Sequence, residues 1–222
     1  MNKHIIILFA LLLSMTTEVV NAQWAVGIKG GVNATSVDRS NAGRIDETYS
    51  SLRGIDLGIQ AHYSFNDWLA IRVDLDYMTR SHRMDRNLTA VNFLFMEYSN
   101  SYLMLPVLAD FSFGGSKLRG HLLCGGFAGY WLTAHRNGAT FGIMQNNYDV
   151  DEDLEFNDEM QRLTAGLAGG VSLTYDINNW LGVNLDALYY YDLVSYRKGY
   201  DNLNDPRYLS TLTFDLGVYY KF

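Results

Sequence analysis

The sequence has little cysteine, little proline and no excess of positive charge. Its single Cys124 excludes an internal disulfide and a metal cluster built from cysteines, and we expect it to be an inert buried side chain. Lysine and arginine number 17 against 24 acidic residues, so the net charge of -7 offers no basic field to nucleic acid. Beyond the first residues, no apolar run approaches the length of about 18 residues or more that a membrane-spanning helix needs.

The sequence is rich in glycine and in apolar residues. Twenty glycines, with 48% apolar and 14% aromatic residues, are typical of one folded domain of strands and tight turns, and they exclude a disordered chain. At the start, Lys3, the apolar run from Ile5 to Met15 and the small-residue site Val20-Asn21-Ala22 predict a cleaved signal peptide over residues 1–22. Residues 23–222 then form the mature domain, and no cysteine follows the cut to carry a lipid anchor.

The last segment, Leu212 to Phe222, alternates between apolar and polar residues, as expected of a strand with one apolar face. Seven earlier segments repeat the alternation, at about residues 24–33, 54–65, 69–80, 102–113, 119–129, 162–176 and 181–189. Only helices and closed barrels satisfy every backbone polar group in lipid. The sequence therefore predicts an all-β fold, an eight-stranded antiparallel transmembrane β-barrel with its apolar faces outward.

The predicted connections alternate in length. Short turns lie near Asn66, Gly115 and Asn178, whereas long polar stretches fill about 35–51, 81–97, 134–160 and 192–207. Outer-membrane barrels combine short periplasmic turns with long extracellular loops in this way. Within the fourth strand, Pro106 predicts a bulge.

Aromatic residues on the apolar phase form two levels, as expected at the two interfaces of a membrane. A soluble β-sandwich or a lipocalin-like barrel is the alternative, but its apolar faces would point inward and would not need two aromatic rims. The short-turn level comprises Trp24, Phe65, Trp68, Phe113, Tyr175, Trp180 and Phe222, and the long-loop level comprises Tyr77, Tyr130 and Tyr189.

The segment from Ser101 to Gly114 resembles a strand of the PorT-like outer-membrane β-barrel family of the Bacteroidota, and Leu118 to Tyr130, Thr164 to Tyr175 and Gly217 to Phe222 look like other strands of that family. Met104 stands where an acidic residue is usual in the family. The resemblance implies an outer-membrane protein with a structural or interaction role, accessory to protein secretion or envelope assembly. The implied partners are outer-membrane lipids, lipopolysaccharide, other envelope proteins and the insertion machinery, for which Phe222 resembles the recognition mark; no cofactor is implied.

The inward phase of the strands carries ionisable residues that we expect to form an interior polar network. Because an eight-stranded barrel is just wide enough for its side chains to fill it, this network is expected to plug the lumen. A narrow porin-like channel for small solutes is the alternative. The predicted network comprises Asp56, His62, Arg72, Asp74, Asp76, Asp110, Arg119, His121, Arg162, Asp176, Asp186 and Asp215.

A lipid-modifying enzyme is a further alternative, since small outer-membrane barrels can carry a histidine with a serine or an acid. His62 and His121 lie on the interior phase, and His82 and His135 lie at loop edges. Ser81 adjoins His82, but adjacent residues on a strand face opposite ways. We therefore predict no catalytic residues and no enzyme activity.

The stretch from about 134 to 160 holds seven acidic residues against Arg136, so most of the net charge lies in one predicted loop. The alternation of Asp149, Asp151, Asp153 and Glu155 makes a weak candidate for a cation-binding loop. Leu154 replaces the turn glycine of a calcium-binding loop, and Met160 replaces its bidentate glutamate. A solvated acidic loop is the favoured interpretation, and no metal site is predicted.

Overall fold

A computed structural model describes residues 23–39, 47–89, 92–142, 148–157, 160–196 and 207–222. The predicted signal peptide, residues 1–22, lies outside the described residues. The described chain forms nine strands: β1 (Gln23–Arg39), β2 (Glu47–Ser64), β3 (Leu69–Thr89), β4 (Asn92–Gly114), β5 (Leu118–Gly142), β6 (Tyr148–Asp153), β7 (Leu163–Asp176), β8 (Leu181–Asp192) and β9 (Arg207–Lys221). No helix within these ranges is long and apolar enough to cross a membrane.

Eight of the strands close into an antiparallel ring in the order β1-β2-β3-β4-β5-β7-β8-β9. Closure is made by β1, in which Val26 lies opposite Ala61 of β2 on one side and Tyr220 of β9 on the other. Because every strand has two neighbours, the ring has no free edge. The short β6 pairs with β5 from His135 to Thr140 and adds a flap to the ring. The predicted eight-stranded barrel is confirmed.

Side chains alternate between the outside and the inside of the ring. Ile28, Leu216 and Phe214 are 67%, 62% and 53% exposed, whereas Asp56 and Asp76 are fully buried. An exposed apolar wall around a polar interior is the reverse of a soluble barrel and matches a lipid environment. Cys124 lies on the outward phase and is exposed, so its predicted burial was wrong.

The three short connections use local turn chemistry. Asn66 Oδ1 accepts hydrogen bonds from the backbone N–H groups of Trp68 and Leu69, at 3.0 and 2.7 Å. Asn178 Oδ1 accepts equivalent bonds from Trp180 and Leu181, at the same two distances. These side chains mimic a backbone turn, which is why asparagine suits both sites. At the third connection, Gly114 has φ of 123°, a conformation that favours glycine.

The predicted long loops were too long. Strand pairing continues well beyond the aromatic level at Tyr77, as far as Thr89 in β3 and Gly142 in β5. The apolar alternation stops near that level because the outer face no longer contacts lipid, although the backbone pairing persists. Hydrophobic periodicity therefore marks the membrane-facing part of a strand and misses its extension into water. The strand β6 within the predicted third loop was missed for the same reason.

Pro106 does not produce the predicted bulge. It lies opposite Phe127 of β5, and the register shift of that ladder falls between Ser101 and Tyr102. On the other side, the ladder to β3 runs from Val73–Val107 to Asp76–Met104 in unchanged register. The missing N–H of proline therefore interrupts the ladder without inserting a residue.

The barrel interior has an apolar side and an ionic side. Met104, Leu108, Leu123, Phe127 and Leu188 are buried together, mainly on β4 and β5. The buried ionisable side chains lie mainly on β1, β2, β3, β8 and β9. Met104 is therefore part of the apolar packing, and this chain has no acid at that position.

Candidate functional site

The centre of the lumen holds a cluster of buried ions around Arg72. The Arg72 guanidinium contacts Asp74 at 2.8 Å and Asp186 at 2.7 Å. Lys29 contacts Asp74 at 3.0 Å and Asp76 at 2.9 Å, and all of these side chains are almost fully buried. The cluster, which we call the central ion cluster (Lys29, Arg72, Asp74, Asp76 and Asp186), therefore offsets the cost of burying each charge with close opposite charges.

Neutral polar groups complete the central ion cluster. Gln60 donates to Asn184 Oδ1 at 2.8 Å, and Asn184 donates to Asp186 at 2.9 Å. Ser172 donates its hydroxyl to the other oxygen of Asp186. Gly58 is required beside this cluster, because a Cβ there would collide with the Asp76 carboxylate.

A second buried ion pair lies nearer the long-loop end. Arg80 makes two parallel bonds to the Asp192 carboxylate, at 3.0 and 2.8 Å, and donates to Thr211 Oγ1 at 2.9 Å. Thr164 donates to the same carboxylate at 3.0 Å. We call Arg80 and Asp192 the upper ion pair. Its two-bond geometry fixes both side chains in one arrangement.

Both clusters cross the lumen. Arg72 and Arg80 lie on β3, whereas Asp186 and Asp192 lie on β8, and four strand steps separate β3 from β8 in either direction around the ring. Each arginine therefore reaches the opposite wall. Two successive side-chain bridges span the interior of the barrel.

At the short-turn end, a separate group surrounds Asp110. His121 Nδ1 lies 2.7 Å from Asp110 Oδ1, and His62 Nδ1 lies 3.7 Å from Asp110 Oδ2. The other ring nitrogen of His121 contacts Thr174 at 2.9 Å. Nearby, Asp176 accepts from Tyr219 at 2.8 Å and from Lys221 at 2.6 Å. These groups border a cavity of about 90 Å³.

Not every residue of the predicted network meets an opposite charge. Both carboxylate oxygens of Asp56 and of Asp215 lack a hydrogen-bond partner among the described residues. Arg119 donates to the backbone carbonyls of Gly115 and Asp67. Arg162 donates to the carbonyl of Trp131. Arg119 and Arg162 therefore bind backbone carbonyl groups at the ends of the barrel, whereas Arg72 and Arg80 pair with acidic side chains of the interior.

Three charged residues of the interior were missing from the predicted network. Lys29 and Arg80 lie on the inward phase of predicted strands, so the phase rule could have found them. Asp192 lies at the end of β8, beyond the last predicted strand residue, Tyr189. The phase rule could have found it too, because Tyr191 and Leu193 continue the outward apolar phase on either side of Asp192.

The long-loop end encloses a cavity of about 230 Å³ that was not foreseen from the sequence. His82 and Asn100 are 3% and 2% exposed, and neither His82 Nδ1 nor Asn100 Oδ1 has a hydrogen-bond partner in the described chain. We call this cavity the aromatic pocket. Its lining residues are Tyr49, His82, Tyr98, Asn100, Trp131, Arg136, Leu154, Asn157, Met160, Tyr196 and Arg207.

Aromatic rings surround His82 in the aromatic pocket. The imidazole stacks on Tyr98 at 5.1 Å between ring centroids, and it lies 6.2 Å from both Tyr49 and Tyr196. His82 lies beyond the aromatic level at Tyr77, outside the membrane-spanning part of β3. Burial, followed by the charges of Arg207 and Arg80, lowers the pKa of His82 to about 4, so the ring is neutral at pH 7.

The acidic stretch forms the β5–β6 flap. Asp151 and Asp153 contact the two ring nitrogens of His135, at 3.0 and 2.9 Å. The hydrogen bond that the His135 ring donates to the Asp153 carboxylate, ahead of the other contributions, raises the pKa of His135. Asp149, Asp151 and Asp153 lie at alternate positions of the extended strand β6, so they do not form a cation-binding loop. In the described part of the chain, no group of three or more acidic, histidine or cysteine side chains could hold a metal ion.

The aromatic side chains predicted for the two membrane levels are all exposed on the outside of the ring. Exposure ranges from 39% for Tyr130 to 75% for Phe222. Trp68 and Trp180 occupy the short turns, and the Phe222 N–H donates to the Trp24 carbonyl at 2.9 Å. Phe222 therefore lies beside Trp24 at the short-turn end.

A closed eight-stranded ring with an apolar outer wall and an ionic interior defines the class of transmembrane β-barrels. Residues 18–195 match the family described as outer membrane protein beta-barrel domain, and the chain belongs to that family of the bacterial outer membrane. No curated protein matches the sequence.

Several solved structures are similar at low identity. They include Ail, the attachment invasion locus protein of Yersinia pestis, at 14% identity over 91% of this chain and 100% of that chain, with a TM-score of 0.41. OprG from Pseudomonas aeruginosa has 15% identity over 89% of this chain and 95% of that chain, with a TM-score of 0.44. The outer membrane protein AlkL in DMPC lipid bilayers has 14% identity over 93% of this chain and 92% of that chain, with a TM-score of 0.44.

Proposed function

We propose that this protein is a non-enzymatic outer-membrane barrel that is closed to solutes and acts by interaction at its long-loop end. The observation that carries the proposal is the pair of ionic bridges across the lumen, Arg72–Asp186 and Arg80–Asp192. Opening a path would require the separation of charges that are buried on opposite walls. Separating a buried pair leaves uncompensated charge, which is costly.

The surface available for a partner lies on the strand extensions and their flap. These parts of β3, β4, β5 and β6 stand beyond the aromatic level and expose polar side chains such as Asn137 and Asp151. We place this end outside the cell and the short turns in the periplasm. Specific binding commonly resides in such surface segments, because the barrel holds them rigidly while their sequence varies freely.

The resemblance to the PorT-like family extends this proposal to an accessory role in protein secretion or envelope assembly in a Bacteroidota-like bacterium. Export is proposed to use the signal peptide at residues 1–22, and insertion is proposed to use the terminal strand with Phe222. Outer-membrane lipids, lipopolysaccharide and other envelope proteins are the proposed partners. The exposed apolar wall supports the lipid contact, with Ile28 67% exposed.

Site-specific crosslinking in native membranes tests the interaction role. A photoreactive residue placed at exposed Asn137 should trap an envelope protein in a stable larger complex. The same residue placed at lipid-facing Leu216, which is 62% exposed, serves as the matched control and should trap lipid or little protein. A barrel that purifies alone after crosslinking at Asn137 would contradict the proposal.

A narrow cation-conducting pore is the second candidate. The observation that favours it is the pair of buried carboxylates, Asp56 and Asp215, whose oxygens lack partners among the described residues. Unpaired acids along a lumen attract cations. Cation efflux from liposomes that contain the wild type, and its loss in Asp56→Asn, would support this candidate; liposomes that retain cations would exclude it.

Enzyme activity is not part of the proposal. The imidazoles of His62 and His121 both face Asp110, and the Ser81 hydroxyl contacts Ser99 at 3.3 Å. Neither arrangement sets a serine beside a histidine that an acid orients. The Thr174 hydroxyl does lie 2.9 Å from His121, which Asp110 contacts on its other side, but these groups border a lumen cavity of about 90 Å³, which is too small to hold a lipid. Lipid A from cells with and without the gene should therefore give identical mass spectra, and a mass difference would restore the enzyme interpretation.

A further inference from the structure

The aromatic pocket has the construction of a ligand site. Its polar side chains His82 and Asn100 are almost fully buried, yet His82 Nδ1 and Asn100 Oδ1 have no hydrogen-bond partner among the described residues. Buried polar atoms are normally satisfied, and an unsatisfied one needs an explanation. Because both atoms belong to side chains that line the same cavity, a single bound molecule could satisfy both.

The two unpartnered atoms specify part of the ligand. The Asn100 oxygen only accepts a hydrogen bond, so the ligand must donate to it. A neutral imidazole has one donor nitrogen and one acceptor nitrogen, so its partner must be able to fill either role. A hydroxyl group does both. A ligand that carries hydroxyl groups therefore fits both atoms.

The aromatic rings and the volume of the pocket indicate the shape and size of the ligand. Tyr98 and Tyr196 flank His82, and Trp131 meets Tyr196 edge to face at 6.3 Å. Such walls pack against a flat or C–H-rich ring face. The volume of about 230 Å³ is below the roughly 300–1,000 Å³ of sites for drug-sized ligands, so it suits one ring.

Charge in the pocket excludes one competing ligand. An aromatic cage can bind a quaternary ammonium group. Here the charged side chains in the lining are Arg136 and Arg207, and the Arg207 guanidinium lies over the Tyr49 ring at 5.6 Å. The Arg136 guanidinium is paired with Glu152, and none of the lining residues is acidic, so the lining offers no negative charge to a cation. A hydroxyl-bearing ring without positive charge remains.

We propose that the aromatic pocket binds a pyranose sugar ring, with hydroxyl groups on His82 and Asn100 and the ring face against Tyr98, Trp131 and Tyr196. The site lies above the upper ion pair, so it is reached from the long-loop end. The proposal does not depend on whether the lumen conducts. The pocket lies at the end of the barrel at which we place the interactions.

Saturation-transfer NMR on the refolded full-length mature barrel tests the site. The detergent must lack a sugar headgroup, and the probes are the methyl pyranosides of glucose, galactose, mannose and glucuronic acid. At least one pyranoside should receive saturation from the protein. His82→Phe keeps the ring stack and removes its nitrogens, and Asn100→Leu removes the amide, so each should weaken binding by about tenfold.

Matched controls carry the same substitutions outside the pocket. His62→Phe and Asn179→Leu alter a partly buried and an exposed residue at the short-turn end, away from the pocket, and should leave binding unchanged. Gel mobility before and after heating checks that each variant is folded. Should a buried variant fail to fold, Tyr196→Ala at the partly exposed side of the pocket replaces it and should also weaken binding.

Three results would overturn the proposal: no transfer to any pyranoside, equal affinity in the pocket variants and the controls, or binding of phenyltrimethylammonium in place of pyranosides. A further arm separates two sources of the ring. Displacement of the pyranoside by lipopolysaccharide assigns the ring to a membrane glycan, and no displacement assigns it to a soluble saccharide. Both of these results support the site.

Discussion

Removing the charge of Arg80 should strongly destabilise the barrel. Arg80 and Asp192 have 0% and 1% exposed side chains, and they share two bonds of 3.0 and 2.8 Å. In Arg80→Met, the Asp192 carboxylate stays buried with only the Thr164 hydroxyl among the partners described above. Breaking a buried pair in this way costs about 3–5 kcal/mol, because one charge is left uncompensated.

The same strand supplies a matched control. Arg83 contacts Asp85 at 2.8 Å, but the two side chains are 34% and 24% exposed. Arg83 also lies 3.6 Å from Glu97, and pairs exposed to solvent contribute about 0–1 kcal/mol each, so Arg83→Met should lower the free energy of unfolding by less than Arg80→Met does. The contrast between two Arg→Met variants three residues apart isolates the effect of burial.

Urea unfolding from lipid vesicles, followed by tryptophan fluorescence, measures both variants. Adding Asp192→Asn to Arg80→Met removes the uncompensated negative charge and should restore part of the lost stability. The effects of substitutions at two contacting residues are not additive. The reasoning is refuted if Arg80→Met unfolds at the same urea concentration as Arg83→Met. It is equally refuted if the double variant is as unstable as the sum of the single variants.

Three further predictions concern other parts of the molecule. The folded pKa of His82 is about 4, below the ordinary value of about 6.5, so unfolding takes up a proton between those values. Stability should fall by about 3 kcal/mol as pH drops from about 6.5 to about 4, and His82→Phe should remove that component in urea titrations at stepped pH. Deleting Phe222 removes the N–H that binds Trp24 at 2.9 Å, and it should lower the amount of folded barrel in isolated outer membranes; normal assembly would count against its role. Calorimetry with calcium or magnesium should give no binding heat, since Asp151 and Asp153 already contact His135, and a saturable heat would restore the cation loop.

The membrane-facing half of the fold followed directly from the sequence. Lipid surrounds the barrel and polar side chains fill its interior, so apolar and polar residues must alternate along each strand. Because of this alternation, the outward and inward faces of Leu212 to Phe222 and of the seven other predicted strands could be assigned correctly. The extensions beyond Tyr77 lacked that signal, because water contacts their outer face. For this reason β6 and the far ends of β3, β4 and β5 were assigned to loops.

The sequence predicts which charged residues lie in the interior better than it predicts which of them form ion pairs. Arg72, Asp74 and Asp186 were placed inside from alternation alone. That Arg72 meets Asp186 depends on ring closure and register across 114 positions of sequence, which no local pattern encodes. The aromatic pocket was missed because His82, Asn100 and Tyr196 converge from separate strands and connections.

The ion current across a planar lipid bilayer tests the central claim, that two ionic bridges close the lumen, most directly. After insertion of the refolded wild-type barrel, we expect the current to stay at the baseline of the protein-free bilayer. Arg72→Ala combined with Arg80→Ala removes both bridges, and if it folds it should show discrete current steps. Reproducible steps from the wild type, unchanged in that variant, would contradict the account.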